Sequence, residues 1–142
     1  MNIKKVDYLI IGNGIAGLSA AEQIRKNDEN GSITMISNEP YFTYYRVRLT
    51  DCISKKVEDK ELLVKKEEWY KEKNIEVILN KIVEKIDTDN SKIKLDDGKE
   101  IEYGKLLLAA GNRPFIPPIT GKYKKGVFAL RPLKDLRYVQ NY

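Results

Sequence analysis

Histidine is absent from the chain, and cysteine occurs once, at Cys52. The first absence removes a histidine general base, and the two together remove a Cys/His metal cluster, so no metal site is expected. A lone cysteine also excludes an internal disulfide and a cysteine-pair relay. No apolar run approaches the roughly 20 residues that a helix needs to cross a bilayer. A secretory signal is missing as well: Asp7 interrupts the first apolar stretch, which then runs straight into glycines. A cytoplasmic protein with no membrane partner is therefore expected. Long blocks of one charge sign are also lacking, because 26 basic residues are interspersed with 21 acidic ones. The net charge of +5 reads as a solvated surface rather than a nucleic-acid patch. It leaves a mild positive field that favours an acidic partner protein. Any chemistry must then come from a bound cofactor or from residues outside the chain.

What is present fits one core-forming domain of 142 residues. Val6 to Ile11 is an apolar, β-branched run ending at glycine and predicts a buried strand. Gly14 to about Lys26 carries small and apolar residues suited to a packed helix, Asn30-Gly31 predicts a turn, and Ile33 to Ile36 predicts a second strand. This is the order of a parallel βαβ unit. A loop is expected over Asn38 to Tyr45, a short helix over Arg46 to Ser54, a surface helix over Lys65 to Lys73 and a strand over Ile75 to Leu79. Three short alternating segments, Ile82 to Asp87, Lys92 to Leu95 and Glu100 to Tyr103, are separated by Asp89-Asn90 and Asp97-Gly98 and predict an antiparallel meander. Leu106 to Ala110 predicts a further fully apolar strand, Gly126 to Leu130 another, and Leu133 to Tyr142 a helix. The expected fold class is α/β, with a central parallel sheet and a small antiparallel β-meander insertion.

The glycines of Gly12-Asn13-Gly14-Ile15-Ala16-Gly17 have the GxGxxG spacing of a dinucleotide fingerprint, placed between a strand and a helix as that motif requires. Gly12 allows the tight turn, Gly14 lets the backbone approach a pyrophosphate, and Gly17 allows close helix–strand packing. The helix N-terminus adds free N–H groups and the positive end of its dipole. An acidic residue about 20 positions on would hold ribose hydroxyls. Glu39 stands there, with Asn38 and Ser37 as competing positions, and Glu39-Pro40 also suits a plain turn. A ligand-free glycine turn is the alternative for the motif itself. Leu106 to Gly111 has two readings, an ordinary buried strand with a glycine turn or a close backbone beside the same crevice.

Several segments together resemble the FAD-dependent pyridine-nucleotide oxidoreductases, and in particular the branch with rubredoxin reductases, ferredoxin reductases and the large subunit of nitrite reductase. They are Asp7 to Gly17, Glu39-Pro40-Tyr41, Tyr44 to Leu49, Tyr103 to Pro114 and Ala129 to Asp135. The resemblance implies a Rossmann-like FAD-binding domain over residues 1–130 and a hinge over 131–142 toward an NAD-binding domain that lies outside the chain. It implies FAD across the fingerprint, with Gly12, Asn13, Gly14, Ile15, Ala16 and Gly17 at the pyrophosphate. Asn38 or Glu39 would be at the ribose, and Val83 would meet the adenine through its backbone. Arg46 and Arg48 would be near the phosphates or flavin, Ala110 and Gly111 would close the pocket, and Arg131 would reach in from the hinge. NAD(P)H would be the reductant and a small acidic carrier, rubredoxin or ferredoxin, the acceptor.

The chain departs from that pattern in four respects. Ala110 replaces the usual threonine, Asp51 stands where many relatives have lysine, and no cysteine pair follows the first helix. The rest of the family's length is also missing, so the chain is expected to be inactive alone. A non-catalytic fragment binding FAD or NAD is the alternative. Cys52 reads as a packing residue, with a redox thiol as the competing role.

Overall fold

The computed structural model describes residues 3–142. These form two compact units, one from the chain up to Tyr44 together with Val64–Gly111, the other from Tyr45–Leu63 together with Asn112–Tyr142. The strands are β1 (Lys4–Ile11), β2 (Ile33–Ile36), β3 (Ile75–Ile78), β4 (Val83–Asp87), β5 (Lys92–Leu95) and β6 (Glu100–Leu108). The α-helices are α1 (Ile15–Asn27), α2 (Asp59–Leu62), α3 (Glu67–Glu72) and α4 (Leu133–Gln140).

The first unit holds one sheet with the order β3-β2-β1-β6-β5-β4. β1 pairs in parallel with both β2 and β6, and β2 pairs in parallel with β3. β5 and β4 complete the sheet in antiparallel fashion. Every residue of β2 is buried, as expected of a parallel strand covered on both faces. One core joins Ile10, Ile33, Met35 and Ile75 to Leu18 and Ala21 of α1 and Tyr70 of α3. A second joins Val6, Leu9 and Ile36 to Ile93, Leu95 and Ile101. Arg25 ties the end of α1 to the turn after α3. Its guanidinium donates to the carbonyls of Asp28, Glu29, Lys73 and Asn74 at 2.8–2.9 Å.

The expected fold class holds, with local corrections. The third meander segment and the following apolar run are one strand, β6, which pairs with β1 from Lys4↔Ile101 to Ile11↔Leu108. Gly104 lies inside the strand, where an added Cβ would come within 2.9 Å of the Asp7 carbonyl oxygen. The meander is therefore a continuation of the main sheet. The end of β6 is not covered as an all-apolar strand suggests: Leu108 is 62% exposed. The helix expected over Lys65 to Lys73 is the shorter α3, and it is not merely a surface element, because Tyr70 is buried.

The second unit has buried side chains at Leu49, Cys52, Leu62, Leu133 and Leu136. Arg46 to Ser54 forms two 3-10 turns, Arg46–Arg48 and Thr50–Cys52, in place of one helix. α2 was not anticipated, although Glu58 and Glu61 form a reciprocal capping box that nucleates it. Gly126 to Leu130 forms no strand. Gly126 has φ +86°, a turn geometry, and Phe128 packs edge-on against Tyr138 and Tyr142. Cys52 is buried, and its carbonyl accepts a hydrogen bond from the Gln140 side chain at 2.7 Å.

Candidate functional site

The three fingerprint glycines do different work. Gly12 adopts φ +116°, and an added Cβ would lie inside the van der Waals shell of the Ala109 carbonyl and 2.9 Å from the Ala110 nitrogen. The turn after β1 thus presses on the end of β6. Gly17 is hemmed in by the Gly12 carbonyl and by Ile10 Cγ2, the latter at 3.2 Å from an added Cβ, so it sets helix–strand packing. Gly14 differs, since nothing lies within 4 Å of an added Cβ. It caps α1 with extended backbone and no side-chain cap. The first intrahelical bond there runs from the Leu18 N–H to the Gly14 carbonyl, 3.0 Å. The N–H groups of the preceding first turn have no intrahelical acceptor. Ile15 is 50% exposed at this end of α1, and Ala16 is exposed beside it. Open space beside Gly14 at the N-terminal end of a helix suits an anion such as a diphosphate.

The loop after β2 forms the next wall. Gly12 N–H donates to the Ile36 carbonyl at 2.9 Å, and Ser37 N–H to the Ile78 carbonyl at 2.9 Å, so the ends of β1, β2 and β3 are tied together. Asn38 is exposed and Glu39 half-buried. The Glu39 N–H donates to Ser37 Oγ at 3.1 Å, and the Tyr44 hydroxyl donates to Glu39 Oε2 at 2.6 Å. The carboxylate is therefore held beside the end of β2, at the position expected for a ribose contact.

Asn13 is buried. Its Nδ2 donates to the Tyr41 carbonyl at 3.0 Å, and its Oδ1 accepts from Thr43 Oγ1 at 2.6 Å. Thr43 in turn accepts from the Tyr70 hydroxyl at 3.0 Å. Sequence reading assigned no role to Thr43, Tyr70 or the Tyr44 hydroxyl. Thr43 reaches the fingerprint directly, Tyr70 reaches it through Thr43, and the Tyr44 hydroxyl holds Glu39; no spacing rule signals these bonds.

Val83 begins β4 opposite Leu95. The hairpin beyond it is anchored by Lys81 Nζ, 2.8 Å from Asp97 Oδ2. The Lys81 ammonium and the Lys99 N–H hold the Asp97 carboxyl down at about 2. Ala110 and Gly111 follow β6, exposed, with Gly111 at φ +70°. These residues, from Gly12 to Gly17 with Asn38, Glu39, Val83, Ala110 and Gly111, belong to the first unit. Arg46, Arg48 and Arg131 belong to the second. Arg48 is exposed, Arg46 opens the first 3-10 turn, and Arg131 Nε donates to the Asn112 carbonyl at 2.8 Å. No group of histidine, cysteine and carboxylate side chains is arranged to hold a metal among the described residues. No helix among them is long and apolar enough to cross a membrane.

Residues 6–141 match the family described as pyridine nucleotide-disulphide oxidoreductase. The chain belongs to that family. It is 40% identical over 111 residues to the NADH-rubredoxin oxidoreductase of Clostridium acetobutylicum, covering 78% of this chain and 28% of that protein. It is 36% identical over 132 residues to the nitrite reductase [NAD(P)H] of Bacillus subtilis, covering 92% of this chain and 16% of that one. The crystal structure of the Clostridium acetobutylicum NADH:rubredoxin oxidoreductase superposes with a TM-score of 0.83 at 34% identity, covering 97% of this chain and 35% of the other. This family member thus spans about a third or less of the length of these relatives. Despite the family's description, its single cysteine leaves it without a disulfide of its own.

Proposed function

We propose that this chain is the FAD-binding part of an NAD(P)H-dependent flavoprotein oxidoreductase that passes electrons from nicotinamide to flavin and on to an acceptor such as rubredoxin. The observation that carries the reading is the open space over Gly14 at the exposed start of α1, supported by Glu39, held by the Tyr44 hydroxyl just past β2. The residues fit an adenine dinucleotide. Backbone N–H groups of Gly14, Ile15 and Ala16 bind the diphosphate, and the Glu39 carboxylate, or Asn38, accepts from the ribose hydroxyls. The Val83 backbone borders the adenine, while Ala110 and Gly111, lacking bulky side chains, allow close approach from β6. Arg46, Arg48 and Arg131 supply positive charge toward the phosphates or flavin. When bound, the flavin supplies hydride acceptance and one-electron release. The chain's own groups bind and orient it.

In this reading residues 1–130 belong to the FAD-binding part and 131–142 lead toward a nicotinamide-binding domain. A small acidic carrier is the proposed acceptor. Residues 112–142 favour it, since Asp135 is the sole acidic residue among several lysines and arginines there. Flavin reoxidation in the full-length protein tests this: rubredoxin or ferredoxin should speed it at low ionic strength and less so at high. No acceleration at low salt would remove the carrier from the proposal.

A further inference from the structure

The buried chain Tyr70–Thr43–Asn13 has a fixed direction. The Tyr41 carbonyl can only accept, so Asn13 must offer it Nδ2 at 3.0 Å and turn Oδ1 toward Thr43. Oδ1 accepts the single Thr43 hydroxyl proton at 2.6 Å. The Tyr70 hydroxyl, 3.0 Å from Thr43 Oγ1, is then left to donate. Burial is the largest influence on the Tyr70 phenol and raises its pKa, so it stays a donor across the physiological range. All three side chains are buried, and no buried side-chain polar atom among the described residues lacks a partner.

This chain ends inside the fingerprint. Asn13 sits between Gly12, at φ +116°, and Gly14, the cap of α1. Gly12 is pinned by its N–H bond to the Ile36 carbonyl, while Gly14, with nothing within 4 Å of an added Cβ, keeps the conformational freedom of glycine. The Asn13 side chain tethers the residue between them to the Tyr41 carbonyl and the Thr43 hydroxyl. We propose that Thr43, oriented by Tyr70, is a positioning residue for the dinucleotide: it locks Asn13 and so aims the backbone N–H groups of the fingerprint at the diphosphate. Tyr70 stands on α3, whose ring packs in the core beside α1. The core thus sets the geometry of the phosphate cradle through two hydroxyls. The inference rests on the reading that an adenine dinucleotide places its diphosphate over Gly12 to Gly17.

Titration of the isotope-labelled chain with ADP and with adenosine, followed by the amide signals of Gly12 to Gly17, tests it. ADP carries the diphosphate and adenosine does not. Thr43→Val removes the hydroxyl and keeps the shape, so ADP should bind about three- to tenfold more weakly. Adenosine should bind as it does to the parent chain. Thr43→Ser keeps the hydroxyl and should restore ADP binding to within about twofold. Equal weakening of both ligands would make the role purely structural and overturn the proposal, as would unchanged ADP binding. If Thr43→Val does not fold, Tyr70→Phe takes its place, with ADP weakened about two- to threefold; unchanged ADP binding there overturns the proposal in the same way. An absence of any ADP-induced shift in the parent chain removes the reading of the fingerprint itself, and the proposal with it.

Discussion

Alanine at Gly12 and alanine at Gly14 should damage the protein in opposite ways. Gly12 sits at φ +116°, outside the range open to an L side chain, and its Cβ would collide with the Ala109 carbonyl. The left-handed backbone costs roughly 1–2 kcal/mol and the overlap with backbone roughly 1–3 kcal/mol, so the sum is about 2–5 kcal/mol. In a domain of this size that lowers Tm on the order of 10 °C. Gly14 has negative φ and open space in place of a Cβ contact. Alanine there loses a little as a helix cap and gains a little by restricting the unfolded chain, leaving stability within about 1 kcal/mol. Its methyl group projects into the space assigned to the diphosphate, so FAD binding should fall sharply while the melting curve stays in place. Paired thermal melts and FAD titrations of both variants decide the matter. A Gly14→Ala protein that melts as low as Gly12→Ala, or that binds FAD normally, would refute the division of labour among the glycines.

Further outcomes follow from the packing and charge around the site. Arg25→Lys cannot reproduce the planar fork that reaches four carbonyls, and should lose about 1–2 kcal/mol in urea unfolding. The Asp97 carboxyl is held at about 2, below its ordinary 3.8. Its stabilising effect is therefore complete above about 4 and lost as pH falls toward 2. The urea midpoint should drop across that window, and Asp97→Asn should flatten the drop. Asp28 is depressed by the Gly31 N–H first and the Tyr8 hydroxyl next. Asp28→Asn should then flatten the same acid limb while loosening the turn after α1, seen as faster amide exchange at Gly31.

Local order in the sequence carried the βαβ unit, because β1, the glycines and β2 each announce themselves within a few residues. Gly12 was legible as the tight-turn glycine and Gly17 as the helix–strand packing glycine, since the motif encodes distinct roles at fixed positions. Strand β6 was legible only in two pieces, Glu100 to Tyr103 and Leu106 to Ala110. Gly104, between the two pieces, accommodates the close approach of β1, which only the sheet register reveals. Phe128 lay in an apolar run that suggests a strand, but its partners are Tyr138 and Tyr142 on and just after α4, so side-chain packing overrode propensity. Thr43 and Tyr70 were illegible for a different reason. Thr43 bonds Asn13 from 30 positions away and Tyr70 bonds Thr43 from 27, and such links appear only once the fold has formed.

Equilibrium titration of the chain with FAD and, separately, with NAD tests the central claim most directly. The account predicts that FAD binds with one site per chain, acquires the shifted visible spectrum of a protein-held flavin, and is displaced by ADP, while NAD competes poorly. Tighter binding of NAD than of FAD, or FAD binding that ADP does not displace, would contradict it.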